Sequence, residues 1–171
     1  ASSRTSRGKG QRLKSYEYTD DGILRVRRNP PAKAGIPPED WPVGSSTMVP
    51  YPAPPKQGAP LVVTSPYALV WLAQRLVSQG EGKPLEVLAH TDLNFYRVRL
   101  TTGNGVPIDV DYQINGAQRI QGKRETTAVA LQVSAEYTPD PQGDFSLFGL
   151  EGDIIMLFDR DSGLPLQIRG T

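Results

Sequence analysis

The sequence has no cysteine, one histidine, two methionines and two tryptophans. The missing cysteine excludes disulfides, thiol catalysis and zinc-thiolate sites, and leaves no thiol from which to read a redox compartment. His90, the lone histidine, cannot complete a catalytic triad without a nucleophile placed beside it, and no Gly-x-Ser-x-Gly elbow is present to supply one. Its expected role is structural. No apolar run approaches the roughly 20 residues that a membrane-spanning helix needs.

An excess of one charge is also missing: 19 Lys/Arg against 18 Asp/Glu leave a net charge of +1. The distribution is uneven, because residues 1–33 carry nine basic and three acidic side chains and the remainder carries ten and fifteen. The small, polar, basic opening from Ala1 to Gly10 has the look of the mature end of an exported protein after a leader or lipidated cysteine has been removed. A basic arm can lie on anionic lipid or nucleic acid, but a charged terminus is more often a solvated tether. Residues 1–12 are expected to be such a flexible tether. The length, 171 residues, suits one domain, since a chain of about 150 residues buries roughly 70% of its unfolded surface. Residues 13–171 are therefore read as a single β-rich domain.

What is plentiful is punctuation, with 17 glycines and 16 prolines. Leu13 to Arg28 predicts a hairpin: Tyr16 and Tyr18 alternate with polar neighbours, Asp20-Asp21-Gly22 turns, and Leu24 and Val26 alternate with Arg25 and Arg27. Residues 29–60 hold ten of the prolines, each of which removes a donor from a sheet ladder. They predict a long loop that wraps the body of the domain, because Trp41, Met48 and Tyr51 are costly to leave in water. Ser65 to Gly80 predicts the one main α-helix, about residues 66–79, with Pro66 in the first turn, Gly80 at the exit and Leu69, Leu72, Ala73 and Leu76 at helical spacing.

Beyond the helix the period changes to two. Tyr96, Val98 and Leu100 alternate with Arg97 and Arg99, and Ile108, Val110, Tyr112 and Ile114 alternate with Asp109, Asp111 and Gln113. A Gly103-Asn104-Gly105 loop would pair these runs as a hairpin, with Arg99 opposite Asp109 and Arg97 opposite Asp111. Val129 to Tyr137 predicts a long strand, and Ile154–Phe158 and Leu164–Ile168 a closing hairpin across Asp161-Ser162-Gly163.

Candidate chemistry is thin. The carboxylates Asp109 and Asp111 can divide acid and base roles only in opposed environments, and the expected register gives both an arginine. Asp159-Arg160-Asp161-Ser162-Gly163 opens like a calcium loop but lacks the later acidic ligands, and a turn with Gly163 at positive φ is the preferred reading. No metal and no cofactor is expected. Arg25, Arg27 and Arg28 beside Tyr16 and Tyr18 have the composition of a nucleic-acid patch, but strand alternation is expected to send tyrosines and arginines to opposite faces. No nucleic-acid partner is predicted.

The helix run Ser65-Pro66-Tyr67-Ala68-Leu69-Val70-Trp71-Leu72-Ala73-Gln74-Arg75-Leu76, then Phe95-Tyr96-Arg97-Val98, and the closing Gly152 to Ile168 segment with its Leu164-Pro165 pair together cover about 100 residues. This pattern resembles a family of exported bacterial β-rich proteins of unknown function, similar in architecture to the open β-barrels of lipoprotein carriers. The resemblance implies a curved antiparallel sheet embracing a helix, with an apolar interior able to accept an acyl chain, and it brings no catalytic residues.

The expectation is thus a mainly β fold, a curved antiparallel sheet or partly open barrel with one helix packed on it. Its expected role is non-catalytic, in the periplasm or cell envelope, holding a lipid or other apolar ligand between Leu69, Trp71, Leu72 and Leu76 on the helix and Val110, Tyr112, Leu131 and Val133 on the sheet. Those positions serve equally as plain core. The rival from another class is an assembly module that docks an envelope protein through the proline-rich loop at Trp41 and Tyr51.

Overall fold

A computed structural model describes residues 2–7, 10–54, 60–80, 82–114, 116 and 118–170. The chain divides into two units, Ala1–Ala53 and Pro54–Thr171, where the sequence predicts one domain from residue 13.

The first unit is an antiparallel meander of β1 (Ser2–Arg7), β2 (Gly10–Tyr18), β3 (Gly22–Arg28) and β4 (Val43–Pro50), in that spatial order. The β2–β3 hairpin is the expected one: the Thr19 backbone N–H and hydroxyl both donate to the Gly22 carbonyl at 2.9 Å across the Asp20-Asp21 turn. Gly22 is required there, because a Cβ would stand 2.3 Å from the Val49 carbonyl oxygen. Two expectations are corrected. Ser2–Arg7, placed in the tether, pairs with β2 from Ser2 opposite Ser15 to Arg7 opposite Gly10, since ladder hydrogen bonds come from the backbone and need no apolar alternation. The proline-rich stretch contains β4, because the run from Val43 to Val49 is free of proline, Pro42 and Pro50 only bracket it, and the strand lies at the sheet edge where proline is tolerated.

Among the described residues the second unit holds the helix and eight strands. A six-stranded sheet runs β12 (Pro165–Arg169), β11 (Ile154–Asp159), β10 (Thr126–Tyr137), β7 (Asn94–Asn104), β6 (Leu85–Thr91), β5 (Val63–Thr64), antiparallel except for the β5–β6 pair. α1 (Ala68–Gln79) begins two residues later than predicted and ends as predicted, at Gly80 in the left-handed conformation with φ 63°. Its apolar stripe of Leu69, Ala73 and Leu76 is buried against one sheet face: Val87 and Ala89 on β6, Tyr96, Val98 and Leu100 on β7, Val129 and Leu131 on β10, Ile154, Met156 and Phe158 on β11. Phe145 and Leu147, from the segment between β10 and β11, join the same core, with the Phe145 ring edge-on to Tyr96 at 5.6 Å. Side-chain alternation along each strand gives this sheet its apolar face. The fold is mainly β with one helix, and none of its sheets closes into a barrel among the described residues.

The remaining two strands, β8 (Ile108–Ile114) and β9 (Gln118–Arg124), form a separate antiparallel ribbon. The predicted β7–β8 hairpin is therefore overturned. β7 is paired on both sides, by β6 and β10, so Arg97 meets Glu136 and Glu86 instead of Asp111, and Asp109 lies opposite Lys123 instead of Arg99. Both pairings keep the apolar and charged faces apart, so alternation alone does not choose between them.

Candidate functional site

The ribbon is tied down at its root. The Gly105 N–H donates to the Thr126 carbonyl at 3.1 Å, and the buried Thr126 hydroxyl donates to the Val106 carbonyl at 2.7 Å. A Cβ on Gly105 would meet the Thr126 hydroxyl at 2.0 Å, so only glycine fits this crossing. Farther out, Arg119 makes two parallel hydrogen bonds to the Asp111 carboxylate, at 2.8 and 2.6 Å, bracing β9 against β8. That hydrogen bond pulls the Asp111 carboxyl below its ordinary range and raises Arg119. Both side chains are at least half exposed, so the pair contributes little stability.

Between the ribbon and the last strand runs a groove of about 730 Å³, lined on one wall by Ile108 to Tyr112 and on the other by Leu164 to Gln167 and Arg169. Ile108, Val110 and Tyr112 are half-buried, while Asp109 and Asp111 between them are exposed. Leu164 and Leu166 are half-buried on the opposite wall. The volume lies within the range of about 300 to 1,000 Å³ typical of small-ligand sites.

The eight residues expected to line a helix–sheet interior separate into three groups. Leu69, Leu76 and Leu131 are buried core, and Leu72 and Val133 pack against it, so this face is taken up by side chains. Trp71 lies on the outer side of α1, 58% exposed, with the Arg75 guanidinium 5.7 Å from its ring centre. Val110 and Tyr112 are in the groove. The sequence reading missed the opposite wall: the Leu164, Leu166, Ile168 alternation was visible, but alternation looks the same in an edge strand as in a central one.

Trp41 and Tyr51 are in the first unit. The Trp41 ring is 6% exposed and its indole N–H donates to the Ile36 carbonyl at 2.9 Å, while the Arg28 guanidinium donates to the Trp41 carbonyl at 2.8 Å. Tyr51 is half-buried and its hydroxyl donates to the Thr19 carbonyl at 3.0 Å. Burial, with Asp20 nearby, raises its phenol above the ordinary value. Tyr16, Tyr18, Arg25 and Arg27 of the first hairpin share a face, contrary to expectation, while Arg28, opposite Leu13, does not: Tyr16 lies opposite Arg25 and Lys14 opposite Arg27, and directly paired residues project to the same side. Arg25 is buried, with a guanidinium nitrogen 3.3 Å from the Thr47 hydroxyl.

Two other sequence candidates have local roles. The His90 imidazole is buried, with Nε2 2.8 Å from the Asp92 carbonyl and its ring 5.3 Å from Phe95. Asp159 closes the turn expected there: its Oδ1 accepts from the backbone N–H of Asp161 and of Ser162, both at 2.9 Å, and Gly163 takes φ 68°. Among the described residues no three metal-capable side chains converge. No family model, curated protein or solved structure matches the chain.

Proposed function

We propose that this chain is a non-catalytic binding protein of the bacterial cell envelope, and that it holds an apolar or envelope-derived ligand in the groove between the β8–β9 ribbon and β12. The observation that carries this reading is the groove itself, with Ile108, Val110 and Tyr112 on one wall and Leu164 and Leu166 on the other. Largely apolar walls with a small number of placed polar groups are the usual make-up of ligand sites. The family resemblance of α1 and the closing hairpin supports the envelope setting.

Native mass spectrometry of the protein purified from its own envelope, before and after organic extraction, tests the reading. A discrete adduct is expected, and Leu166→Asp, which puts a charge in the groove while leaving the helix–sheet core intact, should abolish it. An adduct retained by Leu166→Asp would overturn the groove as the site. A clean unliganded mass from the native source would overturn the carrier role.

A further inference from the structure

The lining of the groove carries information about what fits it. A hollow over the face of a sheet is lined by every second residue of a strand, because side chains alternate between faces. Here the walls are consecutive residues, Ile108 to Tyr112 on β8 and, opposite, Leu164 just ahead of β12 followed by Pro165 to Gln167 on it. The groove therefore runs along strand edges. β8 pairs only with β9 and β12 only with β11, so neither edge has a strand partner on its groove side among the described residues. Each strand thus presents main-chain N–H and C=O groups to the groove at alternate residues.

An acyl chain laid there would cover these groups and satisfy none of them, and a covered, unpaired backbone group is costly. The walls are also charged, with Asp109 and Asp111 on β8 and Arg169 on β12. Pure hydrocarbon is a poor match to such a rim; a peptide backbone satisfies the edges while its side chains use the apolar positions.

We propose that an extended segment of a partner protein adds to the free edge of β12 as the next strand of the six-stranded sheet, covered by the β8 wall. The proposal deepens the reading of the groove as the binding site and rests on it. Pro165 has no N–H to donate, so the pairing register is carried by Leu166 to Arg169. Pro107 ahead of β8 and the charges at Asp109 and Asp111 are the devices by which proteins keep edges from pairing indiscriminately. They select a short guest with apolar side chains at alternate positions, aimed at Val110, Tyr112 and Leu166.

The test pans a display library of random nonapeptides against the immobilised full chain. Enriched peptides should alternate apolar and polar residues, and a selected peptide should slow hydrogen exchange at those amides among Leu166 to Arg169 that face away from β11. N-methylation of its alternate backbone nitrogens, in the phase that faces β12, should weaken binding about tenfold or more, since each methyl removes a ladder hydrogen bond. This control alters the guest and leaves the protein untouched, so loss of binding cannot come from misfolding. Equal binding by both N-methylation phases, or protection elsewhere in the chain, would overturn strand addition. If no peptide is enriched but 11-dansylaminoundecanoic acid binds and Val110→Asp and Leu166→Asp release it, the guest is an acyl chain: strand addition fails and the groove stands. If neither probe binds, both readings fall.

Discussion

Asn94 begins β7 almost fully buried, 1% exposed, and its amide anchors the segment after β10. Its two Nδ2 protons go to the carbonyls of Asp140 and Gly143, each at 2.7 Å, and its Oδ1 accepts from the Asp140 N–H at 3.0 Å. The Tyr96 hydroxyl donates to the same Gly143 carbonyl. Asn94→Ala would strand the partly buried Asp140 N–H and weaken two acceptors, so it should cost about 1 to 3 kcal/mol in urea denaturation. Asn94→Asp, which replaces the donor with a carboxylate facing two carbonyls, should cost more at neutral pH than at pH 4. Asp159 gives a second pH signature. Burial pushes its carboxyl up, but the N–H groups of Ser162 and Asp161, the Ser162 hydroxyl and Arg124 outweigh burial and hold it below the ordinary range. With a folded value below the unfolded one of about 3.9, its contribution is complete above that pH and is lost as pH falls through the folded value. Asp159→Asn, which keeps the acceptor, should flatten the decline of stability below about pH 4, and an unchanged acid limb in denaturation midpoints would contradict this assignment. The turn at Asp159 to Gly163 was legible from residue types alone. The anchoring by Asn94 was not, because its partners lie 46 and 49 residues away and are backbone atoms.

At the scale of elements, the exit of α1 and the alternating strands were readable because they depend on local rules: a glycine that accepts positive φ, and a period of 3.6 or 2. Which side of the helix faces inward was only half readable. Leu69 and Trp71 are both large and apolar, yet the first is fully buried and the second is 58% exposed. Leu69→Ala should therefore cost about 2 to 5 kcal/mol through the cavity left behind, while Trp71→Ala should stay within about 1 kcal/mol, the cost of an exposed ring and its contact with Arg75. Equal losses in thermal or urea unfolding would mean that the helix packs by another face. Hairpin partners were readable for β2–β3 and β11–β12, but the partner of β8 was not, since β8 offers charge-matched registers with both β7 and β9. The decisive contacts are long-range ladders, with β10 taking the β7 edge that the local hairpin would have used. β9 went unseen for a simpler reason: Gln118–Arg124 has one large apolar residue, Ile120, and hence no hydrophobic period.

For the molecule as a whole, the division into Ala1–Ala53 and Pro54–Thr171 makes a prediction about which part holds its own core. Every side chain of the main hydrophobic cluster, from Leu69 to Ile168, belongs to the second unit. Both walls of the groove belong to it as well. Among the described residues the first unit has Ile23, Val49 and Trp41 as its buried apolar side chains, a small core for a length near the lower limit at which domains fold alone. A chain of residues 54–171 expressed by itself should unfold in one cooperative transition, as single domains of this size usually do, and should retain the ligand and peptide responses of the full chain. Residues 1–53 alone should show no cooperative transition in the same circular dichroism melt. If 54–171 instead unfolds gradually while the full chain unfolds sharply, the core built on α1 depends on the first unit, and the groove would have to be studied only in the intact chain.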